Sequence, residues 1–128
     1  MSMIDAPLMR GLERVLDLNA FRQQLIAANM ANVDTPGYHT RDIDFQNELN
    51  RAMSNVANQS DENSPTAQLM PAVREVPGLM ERADGNNVNL DREGLLMSET
   101  QLQYQIGVQL VKHQFHQILT AINGGGQS

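Results

Sequence analysis

The sequence predicts a mainly α-helical protein whose long N- and C-terminal helices pair as a coiled coil, with an irregular, partly extended or disordered middle segment. Hydrophobic residues recur with helical spacing in both terminal parts of the chain, and a polar stretch rich in turn residues lies between them. Aromatic residues make up 4% of the 128 residues, and there is no Trp. The core must therefore consist mostly of Leu, Ile, Val and Met, which suits an extended helical protein better than an enzyme with a deep pocket.

The N-terminal helix is predicted over residues 1–33. Its regular pattern begins at Pro7, a residue that helices tolerate in their first turn. At about 100° per residue, one side of this helix is apolar and the other side is polar. The apolar arc is wider than one partner helix needs. The expected helix-interface positions in this helix are Leu18, Phe21 and Leu25.

The N-terminal helix must end at the sequence Asp34-Thr35-Pro36-Gly37. The residue before Pro is disfavoured in the α region. Pro36 then sets φ at the second turn position and Gly37 supplies a positive φ at the third, which is the signature of a type II turn. Residues 34–53 are thus predicted to contain this turn, an extended stretch over residues 38–45, and the start of a short helix over residues 44–56.

Residues 54–90 are predicted to be a flexible, turn-rich middle segment. Ser, Asn, Gln and Asp dominate residues 54–66, which cannot bury enough apolar surface to offset their ordering entropy. Residues 70–80 contain two Pro and one Gly and are predicted to be extended with turns. The sequence Asp84-Gly85-Asn86-Asn87 indicates a further turn.

The C-terminal helix is predicted over residues 91–123, opened by Asp91 with Glu93 in its first turn and followed by a Gly-rich tail at 124–128. A second apolar stripe runs through Leu95, Leu102, Ile106 and Leu110 on another face. Two apolar stripes on one helix need more than one neighbour, which predicts a protein–protein interface. The main seam follows alternating spacings of four and three residues, with Gln101 as its polar member. Its apolar members are Met97, Tyr104, Val108, Val111, Phe115, Ile118 and Ile122.

Charge and composition exclude several classes of protein. The net charge is −6, and the nine Lys and Arg residues are scattered, so a nucleic-acid partner is not expected. The chain has no Cys, which removes disulfides and thiolate chemistry. No apolar run approaches the roughly 18 residues of a membrane span. Residues 1–10 lack the pattern of a cleavable signal peptide.

Three groups of residues are candidates for a catalytic, cofactor or metal site, and none of them has the further residues that such a site needs. His113 and His116 lie one helical turn apart, but no carboxylate lies in the adjacent turns. Asp42 and Asp44 would point the same way on a strand, yet no His, Lys or Gly-rich loop accompanies them, so a solvated strand edge is expected. The stretch 84–91 lacks the alternating ligands and final Glu of a calcium loop.

The most distinctive stretch is residues 25–45. Ala28-Asn29 and Ala31-Asn32 place small residues and amides three positions apart on one helix face, which would suit a repeated interhelical contact. A helix with an ordinary Pro-Gly stop is the other interpretation, and the residues by themselves favour it.

The pattern AN-x-AN-x-x-TPGY, which residues 28–38 match at every fixed position, resembles the N-terminal signature of the flagellar axial proteins. The matched residues are Ala28, Asn29, Ala31, Asn32, Thr35, Pro36, Gly37 and Tyr38. The short chain, together with the stretches 41–45 and 84–93, resembles the proximal rod proteins of the FlgB type. The sister FlgC type is the alternative, but its Ala-x-x-x-Tyr-x-Ala-Asn pattern is not found around Tyr104.

The resemblance implies a structural subunit of the flagellar basal-body rod that self-assembles through its terminal helices into a torque-transmitting shaft. Its implied partners are other copies of itself, other rod proteins of the FlgC, FlgF and FlgG types, the adaptor FliE, the membrane ring FliF and the flagellar type III export apparatus. It implies export without a cleaved signal and assembly in the periplasm. Phe21 and Leu25 fit the weak export motif Phe-x-x-x-hydrophobic. A soluble coiled-coil regulator or chaperone is the competing class of protein.

Overall fold

The computed structural model describes residues 2–58 and 70–124, and the side chains of residues 7–54 and 70–124. Three helices and two short strands form in this part of the chain. They are α1 (Ser2–Ala31), β1 (Arg41–Ile43), α2 (Phe45–Asn58), β2 (Val73–Glu75) and α3 (Leu90–Gly124). The predicted fold class, mainly helical with long terminal helices and a less regular middle, is confirmed.

Helices α1 and α3 run antiparallel along each other. Asn29 near the end of α1 contacts Glu93 near the start of α3, and Leu16 lies against Gly107 further along. The buried positions of α1 recur with heptad-like spacing, as expected for a helix with one long neighbour. They are Gly11, Leu18, Asn19, Ile26 and Asn29.

The most buried line of α3 is not its apolar seam. Glu93, Thr100, Gly107 and Gln114, which are spaced seven residues apart, are the buried residues of this helix. The predicted seam lies beside that line: Met97, Val108, Val111 and Ile118 are half-buried, whereas Tyr104, Phe115 and Ile122 are exposed. The coiled-coil pairing is therefore present only in part.

Gly107 lies close to α1. A Cβ atom at this position would lie 2.7 Å from Cδ2 of Leu16, so any larger residue there would require the Leu16 side chain to shift. The distance between two packed helices depends on the side chains at their contact. The line that faces α1 is therefore polar at most positions and has its smallest member, Gly107, against Leu16.

The middle of the chain is more regular than the sequence predicts. Strands β1 and β2 pair antiparallel, with Arg41 opposite Glu75 and Ile43 opposite Val73. Helix α2 continues to Asn58, into the stretch predicted to be flexible, and the rest of that stretch, residues 59–69, lies outside the described residues.

Two boundaries of α3 differ from prediction. The helix begins at Leu90 rather than Asp91, because the side chain of Asn89 caps it by accepting a hydrogen bond from the Arg92 amide at 3.1 Å. At the other end, Gly124 is still helical, and the predicted tail beyond it lies outside the described residues. In the part of the chain that the structure describes, no helix is long and apolar enough to cross a membrane.

Candidate functional site

The turn that follows α1 has the predicted type II geometry. Gly37 adopts φ of +76°, and the Tyr38 amide donates to the Thr35 carbonyl at 3.2 Å. Pro36 at the second turn position fixes the approach of the chain. The prediction made from the Thr-Pro-Gly-Tyr sequence is confirmed, and the chain leaves the helix at a defined angle.

Asn29 joins the end of α1 to three other parts of the molecule. Its side-chain oxygen accepts from the Tyr38 hydroxyl at 2.9 Å and from the Arg41 amide at 3.0 Å. Its side-chain nitrogen donates to the Arg41 carbonyl at 2.8 Å and to the Glu93 carboxylate at 3.1 Å. Asn29 is 1% exposed, and its bond to Glu93, which is also buried, is the one most shielded from water. An amide suits this position because it donates and accepts at once.

A second turn, residues 82–85, packs against the first; it lies two residues before the position predicted from the sequence. The Gly37 amide donates to the Asp84 carbonyl at 2.9 Å, and a Cβ atom at Gly85 would lie 3.3 Å from the Gly37 Cα atom. The side chain of Asn86 donates to the carbonyls of Asn32 and Thr35, both at 2.9 Å. We call the first turn, residues 35–38, together with residues 84–87 the clasp.

Hydrogen bonds at its margins extend the clasp. The Thr40 amide donates to the Asn87 side-chain oxygen at 2.6 Å, and the Asn87 amide donates to the Tyr38 carbonyl at 3.3 Å. Arg82 donates to the carbonyls of Val33 and Val88. One of these carbonyls lies just past the end of α1, where backbone acceptors lack intrahelical partners. The clasp therefore also closes the end of the helix.

The amide side chains of the motif form hydrogen bonds with other residues of the same chain. Asn29 is buried, and Asn32 bonds the Ala28 carbonyl at 2.8 Å and accepts from the Thr35 hydroxyl at 3.0 Å. The two Ala residues, Ala28 and Ala31, are exposed, as are Thr35, Pro36 and Gly37. Asn32 shapes the turn after the helix. Asn29 bonds both that turn and Glu93 of α3, and the second bond is a contact between helices of the same chain.

Sequence reasoning missed the partners of the motif. Asn86, Asn87 and Glu93 are all buried in contact with it, and Arg82 reaches the end of α1. The only available signal was the turn pattern at residues 84–87, which indicates a turn but not what the turn packs against.

Two ion-pair groups flank the clasp. Arg22 holds Asp42 with two hydrogen bonds of 3.1 and 3.0 Å, and its guanidinium lies 5.9 Å from the Phe45 ring centre. On the other side, the two ring nitrogens of His39 contact carboxylate oxygens of Glu75 at 3.2 Å and Glu81 at 2.6 Å.

Hydrogen bonding to these two carboxylates, first to Glu75 and then to Glu81, raises the pKa of His39 above its usual 6.5. Carboxylates only accept hydrogen bonds, so contacts at both ring nitrogens favour the doubly protonated ring. His39 therefore ties the turn to β2 and to the segment after it most strongly when it is charged.

The residues considered as catalytic or metal-binding candidates do not lie together in the structure. Asp42 is buried in its ion pair, which corrects the expected solvated strand edge, and Asp44 caps α2 by accepting from the Asn47 amide at 3.2 Å. His113 contacts Gln117 at 3.1 Å. Within residues 2–58 and 70–124, no three His, Asp or Glu side chains are grouped so that they could hold a metal ion.

The predicted helix-interface positions fall into two groups. In α1, Leu18 is buried and Phe21 and Leu25 are half-buried. In α3, Phe115 and Ile122 are 55% and 67% exposed. The second stripe of α3 is also exposed along its length, through Leu95, Leu102, Ile106 and Leu110. A large apolar surface of α3 is thus left uncovered by the part of the chain that the structure describes.

A long helical pair, a hydrogen-bonded clasp and an uncovered apolar face are features of a subunit that packs against other chains. No protein-family model matches the chain. It is 34% identical, over 138 aligned positions, to the flagellar basal body rod protein FlgB of Salmonella typhimurium, with 95% of this chain and 96% of that protein covered. FlgB of Escherichia coli K12 is 33% identical over the same shares, and FlgB of Buchnera aphidicola 28% over 88% and 91%.

The chain is therefore a flagellar basal body rod protein. It belongs to the FlgB family.

Proposed function

We propose that this protein is a structural subunit of the proximal rod, which self-assembles through its terminal helices into the shaft that transmits torque from the membrane ring to the hook. The observation that carries the proposal is the uncovered apolar surface of α3. Contiguous exposed apolar surface on a protein marks an interaction site, and the second stripe of α3 is exposed over several helical turns, from Leu95 to Leu110.

The clasp supports an assembly role of a different kind. It fixes the direction in which the chain leaves α1, through hydrogen bonds of 2.6–3.3 Å at both turns. In a helical assembly every subunit repeats the same contacts, so a small error in this direction would accumulate along the shaft. We propose that the motif residues serve assembly by fixing this geometry, and that no residue of the chain serves catalysis.

The partners follow from the same proposal. The exposed faces of α3 and the interface positions of α1 would contact other copies of the chain and rod proteins of the FlgC, FlgF and FlgG types. The base of the rod would contact the adaptor FliE and the membrane ring FliF. Export through the flagellar type III apparatus, with Phe21 and Leu25 as the export motif, would bring the chain to the periplasm.

Deletion of the gene in the source bacterium, followed by complementation, tests the proposal. The unmodified chain should restore swimming, and Phe115→Asp should not, although the variant is exported. Ser98→Asp is the matched control, because Ser98 is exposed on α3, lies outside both apolar stripes and receives the same added charge. Swimming that does not depend on the gene would refute the proposed function.

A further inference from the structure

The two alanines of the motif are not explained by the fold of one chain. Ala28 and Ala31 are exposed near the end of α1, although the amides that follow them, Asn29 and Asn32, bond to the turn after the helix. Most side chains fit an exposed helix position with little change in stability. Small residues at both positions therefore indicate either the high helix propensity of Ala or a close contact with another helix.

The motif alanines belong to an uncharged face of α1. Four exposed residues follow the spacing i, i+3, i+4 and i+7, which places them on one side of the helix. They are Gln24, Ala27, Ala28 and Ala31, and we call them the alanine face. Residues 23–33 contain no Asp, Glu, Lys or Arg. Charged residues are depleted in the cores of protein interfaces, so the composition of this face favours an interface.

The alanine face points away from the helix pair of its own chain. At about 100° per residue, Ala31 lies about 160° around α1 from Asn29, which contacts α3. Ile106, in the second stripe of α3, likewise lies about 100° from Gly107, which faces α1. Both faces are exposed in the part of the chain that the structure describes. A contact between them therefore requires two chains.

The second stripe of α3 has a shape that fits the alanine face. Leu102, Ile106 and Leu110 are spaced four residues apart, so they form one ridge along α3, and they are 49% to 58% exposed. On α1, the row of residues 24 and 28 and the row of residues 27 and 31 enclose a shallow groove, because alanine side chains are short. A four-residue ridge that packs into a groove between four-residue rows gives the commonest class of helix packing, with an interaxial angle of about −50°.

Charges near the two faces favour one relative direction of the helices. Residues 100–111 of α3, like residues 23–33 of α1, contain no Asp, Glu, Lys or Arg. Glu99 and Lys112 border this stretch of α3, and Asp34 lies just after α1; all three are exposed. Parallel helices would bring Asp34 towards Lys112, whereas antiparallel helices would bring it towards Glu99. Opposite charges attract and like charges repel across an interface, so the parallel direction is favoured.

We propose that the alanine face of α1 in one subunit receives the second stripe of α3 from a second copy of this chain, with the two helices parallel. This inference rests on the proposed self-assembly and names the two surfaces that it would use. A second copy is the occupant because the same chain carries both complementary faces. The faces differ, so the contact is heterologous, and a heterologous contact that does not close into a ring produces a helical filament.

A size series at Ala28 separates close packing from helix propensity. Ala28→Leu adds bulk and keeps the helix propensity nearly unchanged, whereas Ala28→Ser stays small and is a poorer helix former. We expect Ala28→Leu to abolish swimming and Ala28→Ser to retain it. The urea midpoint of the purified Ala28→Leu chain should match that of the unmodified chain, because this side chain is exposed. Normal swimming of Ala28→Leu would overturn the inference.

Disulfide cross-linking identifies the occupant, because the chain has no native Cys. Ala28→Cys combined with Ile106→Cys should give linked chains in isolated basal bodies after mild oxidation, and neither single substitution should. The matched control is Ala28→Cys with Gln101→Cys, since Gln101 is exposed about 140° around α3 from Ile106. This control pair should give no linked chains.

The outcomes separate this inference from the proposed function. Loss of swimming in Ala28→Leu, without linked chains in the variant that carries Ala28→Cys and Ile106→Cys, would mean that another protein occupies the alanine face. That result would overturn this inference alone. Swimming that does not depend on the gene would overturn the proposed function and this inference with it.

Discussion

Replacing Asn29 tests most directly the hydrogen bonds that join the end of α1 to the turn, β1 and α3. Replacing it with Ala removes four hydrogen bonds of 2.8–3.1 Å at a site that is 1% exposed. Each bond contributes about 0.5–1.5 kcal/mol net, so the four together contribute about 2–6 kcal/mol. Tyr38 is half-buried, and its hydroxyl can turn toward water, which relieves part of the loss. We expect Asn29→Ala to lower the free energy of unfolding by about 3 kcal/mol.

Urea denaturation followed by far-UV circular dichroism measures this loss. With a urea slope of about 1–3 kcal/mol per molar, the midpoint should fall by about 1–3 M. Asn50→Ala is the matched control, because Asn50 is exposed on α2 and the hydrogen bond that its side chain accepts from Gln46 is long, 3.4 Å. We expect the control to change stability by less than about 0.5 kcal/mol. A loss of under about 1 kcal/mol for Asn29→Ala would refute the assignment of Asn29 as the residue that joins the end of α1 to the turn, β1 and α3.

The variant Asn29→Asp separates hydrogen-bond donation from simple packing. The carboxylate can still accept from Tyr38 and Arg41, but it cannot donate, and it comes to about 3 Å from the buried Glu93 carboxylate. At an effective dielectric constant of 20 and 4 Å, two like charges repel by about 4 kcal/mol. The free energy of unfolding that Asn29→Asp loses relative to the unmodified chain should become smaller as the pH falls, because protonation of either carboxylate removes the repulsion and supplies a donor. A loss of unfolding free energy that is independent of pH would contradict the observed contact.

Three further predictions concern the turn, the seam and the histidine. Gly37→Val should lower the urea midpoint and block rod formation, because the φ of +76° strains a β-branched residue by about 1–3 kcal/mol. Gly37→Asn should have a smaller effect on both, because Asn tolerates the left-handed region. Equal urea midpoints and equal swimming of the two variants would contradict the explanation from turn geometry. Phe115→Asp should leave the urea midpoint of the isolated chain unchanged because this side chain is exposed, whereas Val111→Asp, at a half-buried position, should lower it. The raised pKa of His39 means that its stabilisation is fully present below the unfolded value of about 6.5 and is lost as the pH rises through the folded value. The urea midpoint should therefore fall more in the unmodified chain than in His39→Gln as the pH rises above about 6.5, and equal falls would count against the carboxylate contacts.

Structural features that depend on residues adjacent in the sequence could be predicted from it. The turn after α1 follows from Pro36 and Gly37 alone, since the two residues restrict their own backbone angles. The long helices follow from hydrophobic periodicity, and this is why their existence was predictable while the start of α3 was displaced by one residue. The Asn89 cap competes with Asp91 as a helix start, and both residues have suitable side chains.

Features that depend on distant residues were not predictable. Asn29 and Glu93 are 64 positions apart, and the residues around either one do not predict a contact with the other. The buried line of α3 was missed for a related reason. Hydropathy ranks Thr100, Gly107 and Gln114 below the apolar seam, but the distance between two helices depends on side-chain size at the contact, and Gly107 lies directly against Leu16.

The clasp has a consequence for how the chain can vary in length. Gly37 and Gly85 are in contact, so the chain that leaves the turn after α1 returns beside it before α3 begins. Between these glycines, β1 and α2 also lie on α1, because Arg22 binds Asp42 and Met53 lies against Gly11. The entropic cost of closing a loop grows only slowly as the loop lengthens. We therefore expect residues added between α2 and β2, beyond these contacts, to leave α1 and α3 in place, which makes the clasp a boundary at which one scaffold of two helices can carry outer segments of different size.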